Sequence, residues 1–335
     1  MSGAGPVRGS RAIALGALAL VAAVCLALEL GAQSISLGTA LTDPGSLDRT
    51  ILFEARLPRV LLGAVAGAGL AAVGVAFQSI LRNPLAEPYV LGVSGGAALG
   101  ATVAILLGGS GATLFGAATV PLAALTGGLV STAVVYALAR ATGAFSGTSI
   151  LLAGVVVNAI TSAAITFLKT LISATKAQEL LFWLMGFLDV PSGKSLLFVA
   201  IYVGLGSAML LADAGRLNLL SLGDEPAQHL GVDVRGLERR VFIACSMIVG
   251  AIVSVTGLIG FVGLIVPHAL RRLFGPDVRA LLPASLFAGG AALVLCDTLS
   301  RALFRWVHTE PPVGAVTALV GGPVFLLLLG RGRRG

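Results

Sequence analysis

Apolar residues run in long unbroken stretches along this chain, and polar residues gather in the gaps between them. Ile13–Leu30, Val60–Ile80, Val120–Leu138 and Val313–Leu329 are the clearest stretches. At 1.5 Å rise per residue, about 20 apolar residues match the ~30 Å hydrocarbon layer of a bilayer. The pattern predicts ten helical spans, over 12–32, 58–81, 91–108, 116–139, 148–169, 194–213, 239–258, 261–271, 281–305 and 313–330. The eighth is too short to cross alone, and Gly and Pro interrupt its surroundings (GLIGFVGLIVPHALRR, 257–272). A broken helix of that kind survives at membrane depth only when packed in protein or facing water. Barrel strands would alternate polar and apolar with period two, which these runs do not. The fold class is therefore an all-α polytopic membrane protein in a single transmembrane domain over 1–335. The pieces between spans, about 34–57, 170–193 and 214–238, read as loops.

Composition sharpens this picture. The 335 residues are 57% hydrophobic and 11% charged, too few charges for the surface of a soluble domain. Arg8 and Arg11 before the first span resemble a signal peptide, but no clean small-residue cleavage site follows, so the segment reads as a retained helix. The formal charge of +7 is scattered between spans and predicts no nucleic-acid partner. With both termini in the cytoplasm, fourteen of the 22 Lys and Arg fall inside and eight outside, as the positive-inside rule requires. The expected home is the bacterial cytoplasmic (inner) membrane. Cys25, Cys245 and Cys296 each lie within an apolar run and read as small buried hydrophobes. Gly63 and Gly67, or Gly92, Gly96 and Gly100, stand at a spacing that lets helices approach closely.

Candidate chemistry is sparse. GFLDVPSGKS (186–195) lacks the leading glycine of a phosphate-binding loop, since position 188 is Leu188. GAGLAAVG (67–74) lies within a span and not after a strand. His229, His268 and His308 form no metal-ligand spacing, so neither metal nor cofactor is expected. An ion-coupled carrier would show ionisable groups at mid-membrane. Glu29 and Asp297 sit nearer span ends, and Arg301, four residues after Asp297, can pair with it on one helix face. Asn158 and Gln78, polar within spans, serve equally as interhelical glue or as pathway residues.

One polar stretch stands out: LNLLSLGDEPAQHLGVD, 217–233. Pro226 lies early in a short helix, Ala227 and Leu230 can face a groove, and Gly223 and Gly231 bound it as turn and cap. The stretch is either a docking surface for a partner or a solvated cytoplasmic loop.

Four stretches resemble the permease family of ABC importers for iron siderophores and vitamin B12: ARLPRVLLGAVAGAGLAAVGVAFQSILRNPLAEPYVLGVSGGAALG (55–100), LSLGDEPAQHLGVDV (220–234), GLIGFVGLIVPHALRRLFGPD (257–277) and PPVGAVTALVGGPVFLLLL (311–329). The resemblance implies a permease subunit of an ATP-driven importer that performs no chemistry itself. It implies a second permease copy or paralogue, two ABC ATPase subunits that bind the ATP and Mg, and an extracytoplasmic substrate-binding protein. By resemblance, Gly223, Asp224, Glu225, Ala227, Leu230 and Gly231 form the ATPase-coupling segment. Arg56, Arg59 and Arg301 would meet acidic residues of the binding protein, the alternative being lipid headgroup anchoring. Asn83, Pro84, Asn158, Pro267 and His268 are candidates for the path or its gates, with spans five, eight and ten lining it. The implied cargo is a ferric siderophore, with cobalamin or haem as alternatives and an ion-coupled carrier as the remote one. FWLMGFL (182–188) departs from the family's W-x-x-G-S-L with Phe187, and Val278 stands where His is frequent.

Overall fold

The structure is a computed structural model that describes residues 6–107, 116–141 and 147–332. Residue 108, expected to close the third span, and Arg333 and Arg334 lie outside these. Helices α1 (Pro6–Glu29), α2 (Leu37–Thr42) and α3 (Leu47–Thr50) come first. A wide π turn (Ile51–Arg56) then leads without a break into α4 (Leu57–Ile80). Next come a 3₁₀ turn (Pro88–Leu91), α5 (Val93–Leu106), α6 (Gly116–Ala141), α7 (Gly147–Lys169) and α8 (Ala174–Met185). The chain ends with α9 (Gly193–Ala212), α10 (Ala214–Leu220), α11 (Asp224–His229), α12 (Val234–Thr256), α13 (Val262–Phe274), α14 (Val278–Val307) and α15 (Val313–Gly332).

Ten of these correspond to the expected spans, with boundaries shifted by a few residues. The membrane layer holds one bundle built around α4, which packs on α9, α12, α13 and α14. Small residues make this possible. A Cβ at Gly67 would collide with the Gly289 carbonyl, and one at Gly74 with the Gly263 carbonyl, so α4 meets α14 and α13 backbone to backbone. Helices α1, α7 and α9 lie at the periphery and leave most of their apolar surface outward. Outward Leu and Val cost nothing there, because lipid tails are as apolar as they are.

Three expectations are corrected. The pieces read as loops contain α2, α3, α8 and α10, all too short for hydropathy to register, whereas α11 is the short helix expected around Pro226. Helix α5 has only 14 residues and is entered through a non-helical segment after Arg82, so the third span is short as well as the eighth. Cys25 is exposed on the outer face of α1 while Cys245 is buried, so only part of the cysteine expectation holds.

The start of α1, the end of α15 and α10–α11 share one end of the bundle, called the insert end below. The π turn, α8 and the α14–α15 connection share the far end.

Candidate functional site

At the insert end α11 stands out from the bundle. Gly223 precedes it with φ +123°, a conformation that side chains rarely adopt, and Gly231 closes it at φ +83°. Asp224 and Glu225 occupy its first turn, where the helix dipole favours acidic groups. Ala227 is fully buried, and Val232 donates its N–H back to the Ala227 carbonyl at 3.0 Å. The expectation that Ala227 faces a partner is therefore corrected: it fastens α11 to the bundle. Leu222 and Leu230, each 58% exposed, are the apolar groups turned outward.

Polar contacts support the insert from beneath. Asp213 accepts from Arg216 at 2.5 Å and from Arg240 at 2.8 and 3.1 Å. Burial pushes the Asp213 carboxyl up, but the two guanidiniums outweigh it and hold it below its ordinary value. Asn218 joins the insert to the start of α14. Its Nδ2 donates to Asp277 at 2.5 Å and its Oδ1 accepts from the Val278 N–H at 2.7 Å. Arg82, just past α4, pairs with Asp224 at 2.7 Å, and both side chains are about 40% exposed.

The far end is dry by comparison. Asp297 is 1% exposed and accepts from Arg59 Nη2 at 2.9 Å and Arg301 Nε at 2.9 Å. Arg59 also pairs with Glu310 at 2.9 Å. Arg56 donates to the carbonyls of Leu28 (2.7 Å), Glu29 (2.8 Å) and Gln33. Arg301 reaches those of Ala27 and Leu30, both at 3.3 Å. A helix leaves its last carbonyls without internal partners, and these two arginines cap the end of α1. Sequence reasoning found the Asp297–Arg301 pair but had Arg56, Arg59 and Arg301 facing outward, toward a binding protein or lipid headgroups. The structure corrects that placement: Arg56 is 5% and Arg301 4% exposed, and all three are occupied within the chain.

Between the ends, two non-helical segments meet. The first begins at Arg82, which has φ +48°, and at Asn83, whose Oδ1 accepts the Leu85 N–H at 2.9 Å beside exposed Pro84. Further along, the Glu87 carboxylate accepts the Phe261 N–H at 2.6 Å, and Asn158 Nδ2 donates to the Tyr89 carbonyl at 2.7 Å. Phe261, with φ +69°, ends the second segment and opens α13. Pro267 lies inside α13 and has no N–H for the Gly263 carbonyl. Gln78 Nε2 reaches that carbonyl at 3.4 Å and the Leu264 carbonyl at 3.2 Å, so Gln78 is interhelical glue. His268 packs edge-on to Phe325, its buried Nδ1 unpartnered among the described residues.

The structure thus gathers Asn83, Pro84 and Asn158 along one segment and leaves Pro267 and His268 on α13. Sequence reasoning missed Glu87. An acidic residue inside an otherwise apolar motif (NPLAEPYVLG) was the available signal. Among the described residues no group of three His, Cys, Asp or Glu side chains could hold a metal ion.

A multi-pass helical bundle with a short polar helix standing out at one end defines a polytopic membrane protein. Comparison with known proteins makes this specific: residues 19–331 match the model of the FecCD transport family, and the chain belongs to that family of ABC transporter permeases. It is 44% identical over 281 residues to a cobalamin import system permease of Halobacterium salinarum, covering 84% of this chain and 73% of that one. It is 38% identical to the hemin transport system permease of Yersinia pestis, covering 94% of each. Among solved structures, a metal-chelate type ABC transporter described in an inward-facing conformation superposes with a TM-score of 0.83 at 32% identity. That match covers 96% of this chain and 99% of that chain. Similarity to these proteins establishes a transport subunit and leaves the cargo open.

Proposed function

We propose that this permease moves an iron chelate of the ferric siderophore kind across the bacterial cytoplasmic membrane, driven by ATP hydrolysis in a separate ABC ATPase that holds the ATP and Mg. The observation that carries the ATP-driven part of this reading is α11. It is a short helix fixed through Ala227, Asp224 and the Asp213 cluster, and it turns Leu222 and Leu230 outward. A helix held rigidly at its base with leucines at its surface suits the groove of a partner. The insert end then faces the cytoplasm, with both termini beside it.

Two further partners complete the proposal. Peripheral α7 and α15 expose Leu152, Val155, Ile160, Leu319 and Leu326, a face suited to a second permease copy or paralogue with the path between them. The far end would receive the binding protein. Since Arg56 and Arg301 are occupied within the chain, an acidic group there would have to compete with Asp297 and Glu310 for Arg59. The 44% identity to a cobalamin permease favours cobalamin as a second reading of the cargo.

Uptake by cells lacking this chain tests both, with labelled ferric siderophore and labelled cobalamin supplied separately. Loss of iron-chelate uptake alone supports the first reading, and loss of cobalamin uptake alone the second. Uptake that survives loss of every ABC ATPase, yet collapses with an uncoupler, would overturn both in favour of an ion-coupled carrier.

A further inference from the structure

We infer that the segment 82–92, irregular up to its 3₁₀ turn, is a strap that carries movement of α11 to α13 and α7 together. The inference rests on the reading of α11 as the ATPase-facing helix. Three polar contacts, each to a different element, define the strap. Arg82 at its start pairs with Asp224 of α11 at 2.7 Å. Glu87 accepts the N–H of Phe261, at the head of α13, at 2.6 Å. The Tyr89 carbonyl accepts from Asn158, midway along α7, at 2.7 Å. One stretch of backbone therefore links the exposed helix to two separate helices of the bundle.

Mechanical contrast with its surroundings supports this role. Helix α4, the obvious alternative conductor, meets α13 and α14 through backbone contacts at Gly74–Gly263 and Gly67–Gly289, with no room for sliding. Close-packed contacts of this kind resist continuous deformation. The strap has no helical ladder to break between Arg82 and Pro88, so a change there costs only a few dihedral rotations. Arg82 and Phe261 hold left-handed backbone at φ +48° and +69°, a conformation that is unfavourable for a residue with a side chain. Such conformations persist where the surroundings impose them, and they cluster at switching regions. Here one lies at the start of the strap and the other at its attachment to α13.

The contacts are also graded. The Glu87 and Asn158 bonds are part-buried, whereas the Arg82–Asp224 pair is half-exposed, and the Glu238 carboxylate lies within electrostatic reach of both its members. A pair in that setting can shift without unfolding anything, so Arg82 and Asp224 act as positioning residues for the strap.

Hydrogen exchange on the permease–ATPase complex in lipid nanodiscs, with and without ATP and vanadate, tests the inference without any cargo. In the wild type, exchange should respond to nucleotide in α11, in residues 85–92 and at the Phe261 amide. Arg82→Ala and Asp224→Asn alter half-exposed side chains and should fold normally. Each should keep the α11 response but cut the response of 85–92 by about threefold or more, as for a half-exposed ion pair. The double variant should be no worse than either single one. Glu87→Leu should silence the Phe261 amide and leave 85–92 responsive, whereas Glu87→Gln, which keeps an acceptor, should restore Phe261. A full response of 85–92 in both Arg82→Ala and Asp224→Asn would overturn the strap. So would a wild type in which α13 responds and 85–92 does not. A wild-type α11 that ignores nucleotide would instead overturn the docking reading, and the strap with it.

Discussion

The two ends of this bundle use the same residue types to opposite effect. At the far end Asp297, Arg59 and Arg301 are removed from water, and each charge is matched by another or by carbonyls of α1. At the insert end Arg82 and Asp224 pair at a shorter distance but remain about 40% exposed. A buried charge is costly once its partner is removed, while an exposed one is resolvated. The far end therefore stakes the stability of the fold on its ion pairs, and the insert end uses its own to set position.

The largest expected effect tests that contrast directly. Asp297→Ala leaves the buried Arg301 and the partly buried Arg59 short of their shared partner and should cost about 3–5 kcal/mol, seen as lost folded protein in detergent thermal unfolding. Arg82→Ala in the same assay should cost no more than about 1 kcal/mol, and equal losses would dissolve the comparison. Next, Leu230→Asp places a charge on the outward apolar face of α11. It should weaken ATPase binding by about tenfold or more, measured by co-purification, with thermal unfolding unchanged. Gly223→Asp should lose coupling as well, since its φ of +123° strains any side chain by about 1–3 kcal/mol. Normal transport with intact ATPase binding in both variants would remove α11 from the mechanism.

Acid provides the smallest effect. The folded Asp213 carboxyl lies below its unfolded value of 3.8, so its contribution is complete above that value and fades as pH falls through the folded one. Proteolytic cutting within 214–233 should rise only in that acid range, and Asp213→Asn should show the higher rate at neutral pH.

The spans were legible because an apolar run of membrane length suits a bilayer and little else, and the boundaries of α6, α7 and α9 fall within about two residues of expectation. Helices α8 and α10 escaped notice because short helices leave no mark on a hydropathy profile read for spans. The insert was visible as charge in an apolar chain, and its glycine boundaries followed from backbone preference. Its orientation was not, because burial of Ala227 depends on packing against the bundle. The arginines show the same limit more sharply. Position near a span end places Arg56 and Arg59 at the membrane edge, but only the fold brings Asp297 within 2.9 Å of Arg59 from 238 residues away.

Gln78 and Pro267 carry a consequence for inheritance. Because the amide of Gln78 meets the Gly263 carbonyl that Pro267 deprives of its helical donor, neither residue is free to change alone. Pro267→Ala would return a helical donor to that carbonyl and leave the glutamine competing for it, while Gln78→Leu would strand the carbonyl inside the bundle. The two positions, 189 apart in the chain, should therefore drift together across descendants of this gene, as one trait written in two places.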